Sequence, residues 1–429
     1  MAETDTQKKP DPADGINSDF IIRCLKQNEL GDANLFKKLY RDRFVFNKAA
    51  DSWMIWNGHH WEFDKMGYSL IAVDGVAQQY EQEAIRMSGE IREMAAVEGN
   101  EGVTKKMQTT RKDLTQRTTA LRSTARRYNC LGFAHTSIDP MAIVGDEIDQ
   151  RPWMLPCANG VVNLQTGELH EGRHRDFLLK ASPVEWKGYD TPAPIWEQTL
   201  LEIFSGRQEV VDCFQRVCGY AMVGKVIQNL LIVMTGKGRN GKSMLVTTIS
   251  KVLGPLAGAI RSEMLLDQFR VANSAGPSPD IMGLRGLRMA FASETDDGCK
   301  ISPSKVKWLT GNDIIVGRSP HDKYDVQFKP SHTLFLLTNH KPHAPAEDYA
   351  FWKRVVLFPF ELSFVDQSPK ADDERLADPH LSEKLEKELS GILAWMVRGC
   401  LAWQEMGVAA PKHLLSAVEG YQREEDSLA

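Results

Sequence analysis

Residues 229–253 read NLLIVMTGKGRNGKSMLVTTISKVL, and this stretch decides the fold of the second half of the chain. It opens with the unbroken apolar run 230–234, which is typical of a strand buried on both faces of a parallel sheet. The segment 236–243, GKGRNGKS, then satisfies the pattern G-x-x-x-x-G-K-[ST], and a helical pattern follows it. Strand, glycine-rich loop and helix together predict a P-loop, which holds the phosphates of a nucleoside triphosphate.

The residue types of this loop suit phosphate binding. Glycine lets successive backbone N–H groups approach a phosphate that a Cβ would obstruct, and the helix N-terminus adds a partial positive charge. Lys242 is predicted to reach the β- and γ-phosphates, and the Ser243 hydroxyl to ligate Mg²⁺. The residues predicted to bind ATP are Gly236, Lys237, Gly238, Arg239, Asn240, Gly241, Lys242, Ser243 and Met244.

The composition bounds the class of protein. A chain of 429 residues with 42% hydrophobic and 25% charged residues is ordinary for a globular protein of more than one domain. Its apolar runs are too short to cross a bilayer and its N-terminus is not signal-like, so we expect a cytoplasmic protein without a membrane partner. The seven cysteines form no C-x-x-C pair, which argues against zinc. The net charge of −5 means that any nucleic-acid surface must be local.

The first part of the chain reads as a polar tail followed by mixed helices and strands. Residues 1–17 are predicted to be disordered, and the spacing over 20–40 is helical. Trp53, Trp56 and Trp61 surround the turn Asn57–Gly58, which predicts an aromatic hairpin. We interpret His59 and His60 as exposed turn residues rather than metal ligands.

Residues 68–128 read as helices whose second half is basic. Its cations are Lys105, Lys106, Arg111, Lys112, Arg117, Arg122, Arg126 and Arg127, against Glu101 and Asp113. They could form a strip beside nucleic acid or a solvated helical face. The solvated face is favoured because no aromatic residues interleave for base stacking.

Further strands follow the glycine-rich loop. The run 287–294 predicts a buried strand ending in Glu294, the lead candidate for the acid that holds Mg²⁺ or polarises water, with Asp296 and Asp297 close behind. The run 332–337 predicts another strand, closed by Asn339. Upstream, 159–169 reads as strand, turn and strand, and 196–223 as one amphipathic helix; amphipathic helices are also predicted at 381–406 and 411–424.

Four landmarks in this order resemble superfamily 3 helicases, most closely the phage, plasmid and poxvirus primase–helicase group. They are GKGRNGKS, the strand ending ASE, KWLTGNDIIVGR followed by LFLLTN, and FWKRVVLFPF. The block 159–162 and the tryptophan hairpin look like the amino-terminal domain that precedes the ATPase in that group. The resemblance covers roughly residues 30–425 and implies an α/β fold with a P-loop, AAA+-like ATPase domain.

The resemblance also implies roles for single residues. Lys242 and Ser243 would bind phosphate and Mg²⁺, Glu294 would be the Walker B acid and second metal ligand, and Asn339 the polar sensor. Arg354 would be the arginine finger that reaches a neighbouring subunit's nucleotide, with Lys353 as its rival. The residues expected to contact DNA are Lys307, Arg318, His321 and Lys323, with 320–324 as the tip of a hairpin that grips single-stranded DNA.

The expected organisation has four parts. They are a tail at 1–17, a mixed α/β domain at 18–195, the ATPase domain at 196–365 and a helical region at 366–429. Many members of the group carry a primase domain upstream and a winged helix downstream. Without them, we expect either a helicase module or a truncated chain, unable to prime by itself, with a separate primase or polymerase as a candidate partner.

The leading interpretation is therefore an ATP-driven DNA translocase that assembles as a ring, with six subunits as the family's habit. It would act on single-stranded DNA in the replication of a phage, plasmid or mobile element, in a bacterial cytoplasm if the element is bacterial. A small-molecule P-loop kinase is one alternative, but it gives no reason for the basic hairpin at 305–330. A regulatory P-loop ATPase without unwinding activity is the other.

Overall fold

The computed structural model describes residues 15–97, 99–267, 278–293, 299–318, 320 and 325–426. Contacts divide it into two compact units. The first comprises the described residues up to Asn57 together with Trp61–Ile148, and the second comprises Gly58–His60 and the described residues from Asp149 onward.

The first unit combines long helices with a small sheet. Its elements are α1 (Ser18–Lys26), α2 (Asn28–Tyr40), β1 (Phe44–Asn47), β2 (Ser52–Trp56), β3 (Trp61–Phe63), α3 (Tyr68–Ala95), α4 (Glu101–Leu121), α5 (Thr124–Thr136) and β4 (Ala142–Ile143). The sheet order is β3-β2-β1-β4, with β4 parallel to β1 and the other pairs antiparallel. The predicted tryptophan hairpin is confirmed, since Trp56 pairs with Trp61 and their ring centroids lie 5.4 Å apart.

His59 and His60 lie in the bend between β2 and β3, as predicted, but they are half-buried rather than exposed. In the described residues, no group of three or more His, Cys, Asp or Glu side chains could hold a metal ion.

A buried carboxylate organises the helices of the first unit. Asp32 is fully buried and accepts bonds from Arg117 at 2.7 Å and from the Tyr80 hydroxyl at 3.0 Å. Arg126 completes the cluster at 2.8 Å. A carboxylate can be buried at this point because two guanidinium groups neutralise it. Part of the basic sequence over 101–128 is therefore used inside the fold rather than solvated.

The second unit is larger and contains the main sheet. Its strands are β5 (Met154–Cys157), β6 (Gly160–Asn163), β7 (Glu168–His170), β8 (Leu231–Thr235), β9 (Ala257–Ile260), β10 (Met289–Ser293), β11 (Ile315–Gly317), β12 (Val326–Phe328), β13 (Thr333–Thr338), β14 (Val355–Pro359), β15 (Ser363–Val365) and β16 (Glu374–Leu376). Its helices are α6 (Pro194–Ile203), α7 (Gln208–Ala221), α8 (Lys242–Leu253), α9 (Pro279–Gly283), α10 (Pro303–Leu309), α11 (Tyr349–Trp352), α12 (Leu381–Glu386), α13 (Leu389–Met406) and α14 (Lys412–Asp426).

The main sheet is parallel and has the strand order β14-β8-β13-β10-β9. Its central strands, β8 and β13, are buried along their whole length, as the unbroken apolar runs predict. Because all five strands run in one direction, their carboxyl ends meet at one edge of the sheet and their amino ends at the other. The loops that follow β8, β13 and β10 therefore emerge at the same edge, where open α/β sheets bind ligands.

Arg288 joins neighbouring segments at the amino edge of this sheet by hydrogen bonds. It directly precedes β10, is 6% exposed, and donates to the carbonyl oxygens of Pro152, at 3.3 Å, Met154 and Met222. Burial lowers its pKa to about 10. One guanidinium thus ties β10 to the start of β5 and to the end of α7.

The structure corrects the helix predicted over 196–223. It is two helices, α6 and α7, because Ser205 and Gly206 adopt left-handed φ values of 56° and 76° that break the helical path. The predicted helical range 381–406 likewise comprises α12 and α13. Glu388, between them, accepts bonds from the backbone N–H groups of Ile195 at 3.1 Å and Trp196 at 3.0 Å and so caps α6.

The segment before α6 packs with the second unit. Strands β5 and β6 contribute Leu155, Cys157 and Val162 to the core that also contains Trp196. The contacts divide the chain after Ile148, whereas the sequence predicts a domain boundary between residues 195 and 196. That boundary stays a prediction about functional domains.

Candidate nucleotide-binding site

The glycine-rich loop, residues 236–241, connects the carboxyl end of β8 to the start of α8. Gly241 has a φ of 88°, and a Cβ there would lie 2.8 Å from Ile203 Cδ1. A Cβ on Gly236 would lie 2.2 Å from the carbonyl oxygen of Phe360. Both glycines are thus required by the conformation of the loop and by its close packing.

Lys242 lies at the centre of the site. The side chain is only 6% exposed, and its Nζ donates to the Gly236 carbonyl oxygen and, at 3.2 Å, to Asn339 Oδ1. Burial lowers the pKa of Lys242 to about 8. No carboxylate of the described residues lies within ion-pairing distance of it. A buried ammonium group held by neutral oxygens alone is poorly compensated and would gain from an anionic ligand.

Asn339 follows β13, the immediate neighbour of β8 in the sheet. The two strands end in register, with Thr338 paired to Thr235. This register brings the amide of Asn339 to the Lys242 ammonium group. The structure therefore brings together two of the four predicted catalytic residues, 97 positions apart in sequence.

The start of α8 offers an anion site. Its N-cap residue is Gly241, which has no side chain to cap the helix, and the Lys242 backbone N–H donates to Asn240 Oδ1 at 3.5 Å. Asn240 is buried and its amide donates to the Lys237 carbonyl at 2.7 Å, which fixes the shape of the loop. A helix start of this kind, with its dipole, is where phosphates bind in other proteins, and the predicted ATP contacts of this loop stay a prediction. The exposed hydroxyl of Ser243 and the half-buried Met244 belong to this first turn.

A segment that the sequence interpretation missed lies against the glycine-rich loop. The Phe364 backbone N–H donates to the Arg239 carbonyl at 2.7 Å, and the Ser363 hydroxyl lies 3.5 Å from the Gly238 carbonyl. Arg239 also pairs with Asp366 at 2.9 Å. Because β14 runs parallel to β8 and beside it, the chain after β14 must emerge next to the glycine-rich loop. A prediction that β14 pairs with β8 would therefore have predicted this contact from the sequence.

The predicted acids Glu294, Asp296 and Asp297 lie outside the described residues. The strand that leads to them, β10, is described as far as Ser293 and pairs with β13, where Ser293 faces Leu337. The chain therefore leaves β10 at the same edge of the sheet as Lys242 and Asn339.

Arg354 lies at the opposite edge of the sheet. It precedes β14, and its carbonyl accepts a bond from Leu231 at the start of β8, at 2.8 Å. The length of β8, about 17 Å at 3.3 Å per residue, separates it from the glycine-rich loop of its own chain. Its guanidinium donates to the Ala350 carbonyl, while its buried Nε has no hydrogen-bond partner in the described part of the chain. The rival Lys353 is exposed and lies over the Tyr349 ring at 4.6 Å.

The hairpin predicted near residue 320 is present. Strands β11 and β12 pair antiparallel, from Ile315 with Phe328 to Gly317 with Val326. His321 and Lys323, at its predicted tip, lie outside the described residues. Arg318 begins the connection and lies 3.9 Å from Asp325.

Lys307 is separate from this hairpin. It lies on α10 and pairs with Asp348 at 2.9 Å, and the hydrogen bond from Lys307 lowers the pKa of Asp348. Its predicted contact with DNA stays a prediction.

The last helix supports the segment that follows Asn339, which sequence reasoning also missed. On α14, the Tyr421 hydroxyl donates to the Pro342 carbonyl, and Glu425 accepts from the Ala344 backbone N–H at 3.0 Å. Trp352 donates to the Pro345 carbonyl at 2.9 Å and meets the Tyr421 ring edge-on at 4.9 Å. The segment is therefore fixed between α14 and α11.

Comparison with known proteins adds independent information. Residues 33–205 match the family described as D5 N terminal like. The chain is 25% identical over 353 residues to a putative helicase of Frog virus 3, covering 66% of this chain and 36% of that protein. It is 24% identical over 290 residues to a putative helicase of Acanthamoeba polyphaga mimivirus, covering 65% of this chain and 30% of that protein. It is 21% identical over 271 residues to a putative primase of African swine fever virus, covering 57% and 28%.

These curated relatives are longer proteins, and the chain spans only about a third of their length. Among solved structures, the C-terminal region of NrS-1 is similar over 53% of this chain and 51% of that one, with a TM-score of 0.38 and 14% identity. Within the described residues, no helix is long and apolar enough to span a membrane. The family match and the viral relatives confirm that the chain resembles the phage- and poxvirus-type primase–helicase group, and residues 33–205 carry the match to the family described as D5 N terminal like.

Proposed function

We propose that this chain is the ATP-hydrolysing module of a DNA helicase, with a P-loop ATPase domain of the superfamily 3, AAA+-like type. The observation that carries the proposal is the buried Lys242 ammonium group, which lies between the Gly236 carbonyl and Asn339 without a described carboxylate partner. It lies beside the N-terminus of α8, whose N-cap residue is a glycine, at the edge where parallel sheets bind ligands. A nucleoside triphosphate supplies the anion that this arrangement lacks.

In this proposal Lys242 exchanges its neutral oxygen partners for the β- and γ-phosphates of ATP. Its charge then opposes the negative charge that develops during transfer of the γ-phosphoryl group. The loop already connects β8 directly to the start of α8, so the phosphates would lie between Lys242 and the first turn of that helix. The Asn339 amide is proposed to orient the attacking water, since it lies beside the same ammonium group.

Mg²⁺ fits this donor set in the way usual for phosphate sites. One hydroxyl, that of Ser243, is exposed at the start of α8, and Mg²⁺ in such sites takes its other ligands from phosphates, water and one or two carboxylates. Glu294 is the proposed carboxylate, with Asp296 and Asp297 as alternatives. The ion would neutralise phosphate charge when bound, and the residues named would hold it.

The position of Arg354 supports an assembly of several subunits. A side chain at the amino edge of the sheet cannot reach the loop at the carboxyl edge of the same sheet. Among the described residues its terminal guanidinium nitrogens make one bond, to the Ala350 carbonyl, which leaves donors for an anion on another subunit. We therefore propose that Arg354 acts across a subunit boundary in a ring of six subunits, the number usual in the resembled family, and that one subunit cannot complete the site.

The hairpin of β11 and β12 is the proposed contact with single-stranded DNA. His321→Ala and Lys323→Ala should weaken single-strand binding and unwinding but leave basal ATP hydrolysis intact, because the hairpin does not form the phosphate site. Each lost phosphate contact should flatten the salt dependence by about 0.7 in log–log slope. Titration of a labelled single strand over a salt series measures this. Unchanged affinity and slope in both variants would place the DNA site elsewhere.

One experiment tests the function as a whole. ATP hydrolysis by the purified chain is measured with and without single-stranded DNA, and the proposal predicts clear stimulation. A small-molecule kinase would not respond to DNA, and a regulatory ATPase would respond to a partner protein instead. Hydrolysis that DNA leaves unchanged would reject the helicase proposal.

The setting proposed is replication of a virus, phage or mobile element. The relatives named as putative helicases and as a putative primase are viral, which supports this setting. A primase or polymerase would then be a working partner, and the cytoplasm the place of action.

A further inference from the structure

The basic sequence of α4 and α5 separates into two groups in the structure. Four arginines are paired inside the first unit: Arg117 and Arg126 with Asp32, Arg122 with Asp74 and Glu81, and Arg127 with Asp74. The other four cations, Lys105, Lys106, Arg111 and Lys112, are exposed, and none has a carboxylate within 4.0 Å among the described residues. We call these four residues the α4 basic face.

The α4 basic face lies away from the core. Leu114, Thr118 and Leu121 form the buried side of the helix. Lys105 and Lys112 are seven residues apart, so they lie on one side of the helix, about 10.5 Å apart along its axis. At about 100° per residue, Lys106 and Arg111 lie about 110° to either side of that line, on opposite flanks of the helix. Two or more phosphates of one nucleic-acid backbone fall within the reach of such a row.

The described neighbours of the α4 basic face do not neutralise its positive charge. Thr109, between the two lysines, is neutral, and its hydroxyl donates to the Lys105 carbonyl at 3.1 Å. Three carboxylates of the neighbouring α3 have their own partners: Glu83 and Glu90 pair with Arg86, and Glu81 pairs with Arg122. Glu101 and Asp113 are the acids of this part of α4, against four cations.

We propose that the α4 basic face binds the phosphate backbone of duplex DNA. Exposed lysine ammonium groups suit phosphates as point charges and carry no sequence information. No aromatic residue occurs in α4, so the face lacks the stacking platform that single-strand sites use. A duplex presents the higher density of phosphate charge, which such a face attracts most strongly. The face would hold the duplex, whereas the proposed hairpin contacts the single strand.

This inference does not depend on ATP hydrolysis, and its test separates the two. The full chain carrying Lys105→Gln and Lys112→Gln is compared with a matched control carrying Lys26→Gln and Lys65→Gln, two exposed lysines of the same unit. Glutamine keeps the helical propensity and removes only the charge. Equal melting temperatures establish that all variants are folded. Lys242→Ala should bind duplex as well as the unmodified chain does.

Binding of a duplex of about 20 base pairs is measured without nucleotide from about 50 to 200 mM salt. The paired substitution should weaken binding by roughly tenfold or more near 0.15 M salt and flatten the log–log slope by about 1.8. Replacing all four cations should flatten it by about 3.6, and the control should change neither quantity. Unchanged duplex affinity and slope in the fourfold variant would overturn the proposal. A loss confined to single strands, or equal for both forms, would overturn the choice of duplex.

Discussion

The two edges of the five-stranded sheet each bury a cation, and they do so in opposite ways. Arg288, at the amino edge, donates to three backbone carbonyl oxygens and so ties three segments together. Lys242, at the carboxyl edge, contacts one carbonyl and one side-chain amide. Burial lowers the pKa of both side chains, to about 10 and about 8.

The two cations differ in how many hydrogen-bond partners the fold provides for them. Arg288 has its partners within the fold, so its burial serves stability. Among the described residues Lys242 has only two neutral oxygen partners, which is consistent with the proposed role of its loop in binding a nucleotide. A buried cation short of partners therefore marks a binding site, whereas a buried cation with a full set marks a structural tie.

Removing the Lys242 ammonium group should have the largest effect. Lys242→Ala should abolish ATP hydrolysis, because the charge on the γ-phosphoryl group loses its counterion. The fold should remain intact, since the lysine contacts the loop and not the core. Hydrolysis and the circular dichroism spectrum are measured on the same preparation. Undiminished turnover would reject the assignment of the site.

Replacing Arg354, which lies at the amino edge of the sheet, should have the second largest effect. Arg354→Ala should leave ATP binding largely intact but reduce hydrolysis by about 10³–10⁵, the contribution of such arginines in other P-loop enzymes. Binding of a fluorescent ATP analogue and turnover are measured separately.

Mixing separates the trans role of Arg354 from a structural one. Arg354→Ala subunits combined with Lys242→Ala subunits should regain activity, since an intact loop can then face an intact arginine. If the mixture stays inactive after subunit exchange has been verified, the arginine does not act across the interface.

Replacing Arg288 should test the structural tie. Arg288→Leu should lower the free energy of unfolding by about 3 kcal/mol, because three buried carbonyl oxygens lose their donor. Urea unfolding measures the loss, and Lys225→Leu, at an exposed cation before β8, is the control. Nucleotide affinity of the folded protein should not change. A variant as stable as the control would show that water replaces the guanidinium at no cost.

The smallest effect expected is a pH dependence of stability from Lys242. Its pKa in the folded protein, about 8, lies below the ordinary 10.5, so the unfolded chain binds more protons between these values. Stability from this group should therefore rise as the pH increases from about 8 toward 10.5, by about 1–3 kcal/mol. The difference in unfolding midpoint between the unmodified chain and Lys242→Met isolates the effect. Parallel pH profiles for the two proteins would contradict it.

The sequence predicted the parts of the site that depend on local patterns. The apolar run before the glycine-rich loop and the run before Asn339 both form strands, because a continuous hydrophobic segment bounded by turn residues suits a central parallel strand. The meeting of Asn339 with Lys242 then follows from the shared direction of β8 and β13.

Long-range contacts could not be predicted in this way. Arg117 and Arg126 stand 85 and 94 positions from Asp32, and composition cannot separate such paired arginines from solvated ones. The break at Ser205 and Gly206 was missed because the apolar spacing continues across it. Likewise, the pairing of Lys307 with Asp348 depends on how α10 packs against α11, which no local pattern fixes.

The support of the segment after Asn339 by α14 has a spectroscopic consequence. Trp352 is buried, donates to the Pro345 carbonyl and meets the Tyr421 ring edge-on. Indole emission depends on hydrogen bonding and on neighbouring rings. The emission of Trp352 therefore responds to changes in its bond to the Pro345 carbonyl and in its contact with the Tyr421 ring. The chain has ten tryptophans, and replacing Trp352 with phenylalanine isolates its signal as a difference spectrum. Nucleotide binding that shifts the segment would therefore change the fluorescence of the protein without an added label.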